Sequence, residues 1–294
     1  MNYKEKLFNF YKQNITKYSR GKGYGKKYPI KFFLKKTKSA LRPEFCQVLG
    51  HTMYLDKHDS LDLSVNGIYN KLDTEIVTNH IGRNDVVIDI GAHIGYYSLI
   101  FAKLVGPHGH VFSFEPEPSN FKLLEKNIKI NNYENITIID KAVSNKNTKS
   151  TLYVGQQSSG ANRLYEPNKT FTQDFKTTEV DCLKLDSFLP IVNSKINFIK
   201  IDVEGSEYNV LLGMKKIIEK NSNLKIFTEF DPLAIADSGE NSEKVIDFLI
   251  NQGFEIFFVD ENLQGLKRIN KKDLLNIKFK NKTINLLCRK HSIN

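Results

Sequence analysis

Two short segments hold residue types whose spacing could do chemistry. In Val87-Ile-Asp-Ile-Gly-Ala-His-Ile-Gly95 an apolar run carries an acid, Asp89, and passes into a turn bounded by Gly91 and Gly95. Glycine at the carboxyl end of a strand lets the backbone approach a ligand closely. A dinucleotide turn would read Gly-x-Gly-x-x-Gly and cradle a pyrophosphate. Here the pattern is Asp89-x-Gly91-x-x-x-Gly95, and its acid repels phosphate. The same acid suits a cofactor that carries an ammonium and a sulfonium, so S-adenosylmethionine fits better than NAD.

The next apolar run ends at Phe114-Glu115-Pro116, about twenty residues past the glycine turn, where a carboxylate can accept both ribose hydroxyls of an adenosine. NAD sites use the same device, so Glu115 speaks for adenosine rather than for a sulfonium. The following run ends in Ile139-Asp-Lys-Ala-Val143, where Asp140 can meet the exocyclic amine of adenine and Ala142 leave room for its ring.

The second segment is Phe198-Ile-Lys-Ile-Asp-Val-Glu-Gly-Ser-Glu207. It delivers three acids beside a glycine at the end of a buried run, and buried charge is costly unless it serves a site. Asp202 and Glu204 are the candidates for accepting or orienting a proton. Glu207 reads as a residue of the first helical turn, favoured by the helix dipole. The other use for these acids is to hold a divalent cation that draws in a diol; the reading preferred here has no metal.

These residues need strands and helices to position them. From residue 85 short β-branched runs alternate with amphipathic stretches, as in parallel βαβ units. The expected strands are 85–90, 110–114, 135–143, 197–203, 224–230, 254–259 and 283–288. Helices are expected over 96–105, 118–131, 207–220 and 241–252. The fold class is α/β: a Rossmann-like, doubly wound, mostly parallel sheet of seven strands with one antiparallel edge strand, 254–259 and 283–288 pairing as a hairpin. Residues 43–80 read as a small cap and a lead-in helix, and 81–294 as the catalytic domain. Within it, 144–181 is rich in Ser, Asn, Thr and Lys and reads as an inserted hairpin or lid, with Tyr153, Gln156, Ser158, Asn162 and Arg163 as acceptor contacts.

The net charge of +10 is unevenly spread. Residues 1–42 hold 13 Lys/Arg and one acid, and the remaining 252 hold 30 basic and 32 acidic residues. This basic arm interleaves Lys with Phe and Tyr, in LFNFYK and KKYPIKFFLKKTK, a pattern that suits peripheral contact with an anionic membrane, a polyanionic substrate or nucleic acid, and equally a solvated leader. A nucleic-acid partner draws support only from this arm. Cys46, Cys182 and Cys288 are far apart and form no Cys-x-x-Cys pair, against a zinc site or a disulfide framework. Neither a signal peptide nor a membrane-spanning run is readable, so a cytoplasmic location is expected.

The segments VVIDIGAHIGYYS and FIKIDVEGSEYNVLLG, with FEPEPSNFKLLEKNI and NITIIDKAVSN between them, resemble the FkbM-like family of S-adenosylmethionine-dependent methyltransferases over residues 66–260. The resemblance implies a class I methyltransferase fold, cofactor contacts from Asp89, Gly91, Gly95, Glu115 and Asp140, and Asp202 at the reaction centre. It also implies O-methylation of a hydroxyl on a sugar, glycan or other small molecule. His93 departs from the family, which usually has Asn there, and reads as repeating a hydrogen bond in the cofactor turn. The competing readings are an inactive S-adenosylmethionine-binding relative and a nucleic-acid methyltransferase that uses the basic arm.

Overall fold

The computed structural model describes residues 3–15, 37–168, 174–188, 195–276 and 282–290. Most of the KKYPIKFFLKKTK stretch of the basic arm lies outside them. The chain forms two compact units that divide between Tyr69 and Asn70.

The first unit holds helix α1 (Tyr3–Phe10), the hairpin β1 (Phe45–Val48) and β2 (His51–Tyr54), and the short helix α2 (Leu63–Asn66). The hairpin turns on Leu49 and Gly50, both at positive φ, the two-residue loop whose twist matches that of its strands. After β2 the buried carboxylates of Asp56 and Asp59 accept backbone N–H groups of His58, Ser60 and Leu63, and Lys38 pairs with Asp59 and Asp62.

The second unit is built on an eight-stranded sheet. Its strands are β3 (Val86–Ile90), β4 (His110–Phe114), β5 (Ile136–Ile139), β9 (Phe198–Ile201), β10 (Lys225–Phe230), β11 (Phe254–Asp260), β12 (Gly265–Arg268) and β13 (Ile284–Lys290). Their order is β12-β11-β13-β10-β9-β3-β4-β5. All five residues of β3 are buried, as in a parallel strand covered on both faces. The principal helices are α3 (Lys71–Thr78), α4 (Tyr96–Val105), α5 (Pro118–Ile130), α6 (Glu207–Gly213), α7 (Lys215–Lys220), α8 (Pro232–Asp237) and α9 (Ser242–Asn251). Their starts are written in the sequence: Glu117, Asp231 and Asn241 each accept a backbone N–H of the first turn, and proline follows the first two. No helix among the described residues is long and apolar enough to cross a membrane.

The doubly wound α/β class is as expected, with differences of detail. The antiparallel strand β13 is interior, between β10 and β11, and the additional strand β12 takes the edge. The run 135–143 is two strands: β5 stays in the main sheet, while β6 (Ala142–Ser144) joins a separate sheet of order β6-β8-β7. That sheet is the expected insert, with β7 (Thr148–Gly155) and β8 (Phe175–Lys184) antiparallel. Ala142, Leu152, Val180 and Cys182 give it a small core of its own. The helix expected over 207–220 is broken at Met214. Gly213 there packs so closely that a Cβ would stand 2.1 Å from the carbonyl oxygen of Ser144.

Candidate active site

The crevice above an open parallel sheet lies at the carboxyl ends of its strands, and the sequence motifs of β3, β4 and β9 all end there. Gly91 follows β3 at φ 76°, and a Cβ in its place would stand 1.9 Å from the backbone oxygen of Asp202. Only glycine lets the two motif loops touch. His93 holds a positive φ of 52°, uncommon for a side chain that is not glycine.

Glu115 at the end of β4 braces this turn. One carboxylate oxygen accepts the His93 N–H at 2.8 Å and the other the Glu117 N–H at 2.9 Å. Burial pushes the carboxyl up to about 7, against the pull of those N–H groups and of the Asn120 side chain, which favour the charged form. A carboxylate offers about four acceptor sites, so room is left for a ribose hydroxyl. His93 Nε2 lies 2.7 Å from Ser159 Oγ, and the Ser159 carbonyl accepts from Asn120 at 3.0 Å and Asn162 at 2.9 Å. The insert loop is thereby tied to the glycine turn and to the start of α5. Asp140 is exposed at the end of β5, whereas Ala142 is packed into the insert's core and does not join the groups at the strand ends.

Asp89 has no solvent exposure. One oxygen accepts from Ser98 Oγ at 2.6 Å, itself bonded by Ser113, and the other lies 3.6 Å from Lys200 Nζ. The same ammonium stands 3.3 Å from Asp202 Oδ2 and 5.1 Å from the centre of the Tyr97 ring. Burial disfavours the Lys200 charge, but the carboxylates of Asp202 and Asp89 outweigh it and hold the ammonium above its usual range. Burial raises Asp89 despite Lys200 and Ser98. Asp89 therefore bears on the crevice through Lys200, where the sequence suggested direct cofactor contact.

Beyond Asp202 the loop turns at Glu204, φ 52°, and Gly205. Glu204 pairs with Arg163 of the insert at 3.2 Å, so one of the expected lid residues does reach the acids. Glu207 is buried and accepts from the Gly205 and Val203 N–H groups at 3.2 and 3.4 Å, which makes it a brace for its own loop; burial raises it to about 7. Asp202, Glu204 and Glu229, from the end of β10, place one oxygen each within 4.8 Å of one another, a spacing that a divalent cation could bridge. Burial, then the charge of Asp202, drive Glu204 and Glu229 well above the usual carboxylate range.

Sequence reasoning missed Lys200 and Glu229. The usable signal was a charged residue within an otherwise apolar buried strand, FIKI and KIFTEF.

The family profile of the methyltransferase FkbM domain matches residues 89–256. A protein named Methyltransferase 1 of Beauveria bassiana is 26% identical over 144 residues, 44% of this chain and 57% of that one. The hexuronic acid methyltransferase AglP of Haloferax volcanii is 27% identical over 137 residues, 47% and 53% of the two chains. The matched stretch thus spans about half the length of these curated relatives. Among solved structures, a methyltransferase FkbM from Methylobacillus flagellatus superposes with a TM-score of 0.40 at 19% identity, covering 69% of this chain and 43% of that chain.

Proposed function

Because the chain belongs to the FkbM methyltransferase family, we propose that it is an active S-adenosylmethionine-dependent O-methyltransferase acting on a hydroxyl of a sugar, glycan or other small molecule. The observation that carries this reading is the abutment of the two motif loops. The Gly91 turn touches the backbone of Asp202, and the Asp202 carboxylate is held 3.3 Å from Lys200 at the mouth of the crevice. The name of the halophile relative supports a sugar acceptor.

The donor set fits the cofactor. Glu115, Asp140 and Asp202 are acids, which favour an ammonium and a sulfonium and disfavour a pyrophosphate. Glu115 and Asp140 would hold the adenosine, the Gly91 to Gly95 turn would border it, and Asp202 would face the cationic end. When bound, the cofactor supplies an activated methyl group. The protein's own share is alignment and removal of a proton. Asp202 Oδ accepts the proton of the acceptor hydroxyl. Arg163 holds Glu204 beside it, so that Glu204 orients the same hydroxyl. The loop pinned at Ser159 limits water over the glycine turn. The cationic pattern of residues 1–42 supports a peripheral contact with anionic membrane, tested by liposome binding of the full chain against one lacking these residues.

Calorimetric titration with S-adenosylmethionine and, separately, NAD tests the reading. Binding of the former alone, weakened in a folded Glu115→Gln variant, is the expected result. Binding of NAD, or of neither, would overturn it.

A further inference from the structure

The carboxyl edge of the sheet divides in two at Glu229. On one side, above β5, β4, β3 and β9, lie the glycine turn, Glu115 and Asp140. On the other, above β10, β13, β11 and β12, is a cleft of about 870 Å³. Glu229 lines this cleft and is also one of the three acids whose oxygens lie within 4.8 Å of one another. Glu229 thus links the cleft to Asp202, which does not itself line it: a hydroxyl lying on Glu229 would stand near the Asp202 carboxylate.

The floor of the cleft is hydrogen-bonding. Asp73 is buried and accepts from Asn285 Nδ2 at 2.9 Å, and Asn285 stands directly across from Glu229 in the β10–β13 register. Carboxylates and amides side by side match adjacent hydroxyls, each of which both donates and accepts. Phe258, half-buried, also lines the cleft.

The rim carries charges of both signs. Arg268 is taken by Glu255 and Lys71 by Glu75, but Lys267 and Lys282 are exposed and make no ion pair among the described residues. Of the acids that share the lining, Asp260 accepts the backbone N–H groups of Asn262 and Leu263, Asp273 accepts from Asn270, and Glu261 is exposed. Two cations with no ion pair among the described residues, above an acid and amide floor, suit a ligand with hydroxyls at one end and an anion at the other.

We infer that this cleft is the acceptor site and that it takes a sugar bearing an anionic substituent, a carboxylate or a phosphate, read by Lys267 and Lys282 while its hydroxyls lie on Asp73, Asn285 and Glu229. The inference rests on the methyltransferase reading and extends it to the acceptor. It places recognition on this cleft rather than on the insert's Tyr153, Gln156 and Ser158.

The test uses the full chain and matched probes: glucuronate against glucose, galacturonate against galactose, and glucose 6-phosphate as the phosphate case. Binding is followed by saturation-transfer NMR and calorimetry, with S-adenosylmethionine affinity measured in every variant. At least one anionic sugar is expected to bind about tenfold tighter than its neutral counterpart. Lys267→Glu/Lys282→Glu should abolish that preference, Asn285→Ala should weaken both members of the pair, and cofactor affinity should hold. No preference for any anionic probe, or a preference that survives the double charge reversal, overturns the inference even when the cofactor binds. Sugar binding as expected without cofactor binding would leave the cleft standing and remove the methyltransferase reading.

Discussion

Lys200 Nζ lies 3.6 Å from Asp89 Oδ1 at the bottom of the crevice, with both side chains sealed from solvent. A lone charge left in such a place is expensive, whereas a pair removed together is not. Lys200→Met is expected to cost about 3–5 kcal/mol, and Asp89→Asn added to it should restore much of that loss. Urea denaturation of the two variants checks this, and equal instability of the single and double variants would contradict it.

Substitution of Gly91 tests the contact between the two motif loops. An alanine Cβ would stand 1.9 Å from the Asp202 carbonyl oxygen, which is backbone and cannot swing aside. Gly91→Ala should cost more than about 4 kcal/mol or abolish folding. Gly67, at φ 67° with nothing within 4 Å of its absent Cβ, is the control, and Gly67→Ala should cost only about 1 kcal/mol. Thermal melts compare them.

The buried carboxyls set a pH dependence. Glu115 and Glu207 are raised from 4.5 to about 7 in the fold, so between those values the native state binds more protons than the unfolded chain. By linkage, this contribution to stability is fully present below pH 4.5 and is lost as pH rises through 7, on the order of 3 kcal/mol for each carboxyl. Glu207→Gln should flatten the fall between pH 5 and 8 and melt higher than the parent at pH 8. An unchanged slope in calorimetric scans would rule this out.

Ser159 links the insert loop to the glycine turn through His93 Nε2 at 2.7 Å. Losing that hydroxyl removes a hydrogen bond worth about 1 kcal/mol. Stopped-flow dissociation of S-adenosylmethionine from Ser159→Ala should be about fivefold faster, with no change in the protein's melting behaviour beyond a few degrees.

Asp202→Asn keeps the shape of the side chain and removes its basicity. Turnover should fall by about 10²–10⁴, and Glu204→Gln should fall by less, because Glu204 orients and does not take the proton. Single-turnover kinetics at saturating cofactor separate this chemical loss from any loss of binding.

Much of this architecture was legible in local sequence. Apolar periodicity located the strand His110–Phe114 and the helix Tyr96–Val105 to the residue. Asp89, Glu115 and Asp202 could be singled out because an acid at or near the end of a buried strand is rare without a purpose. The break after Ile139 was not legible. Asp140 and Lys141 interrupt the apolar run, but an interruption does not say that Ala142 will pair with Cys182, forty residues on, instead of staying beside β4. Nor does a helical period disclose that Gly213 must let the Ser144 carbonyl in and interrupt the helix at Met214.

By itself, the amino-acid sequence determined the kinds of element, their order, and the two loops where acids and glycines concentrate, because propensity, capping and periodicity act over a few neighbouring residues. Only the tertiary structure decided which of those acids share a field. Lys200 faces Asp89 because β3 and β9 pair in register across more than a hundred residues, and Glu229 joins Asp202 because β10 lies beside β9. Charge interactions fall off with distance in space, not along the chain, so the roles of these residues appear only once the sheet has brought their strand ends together.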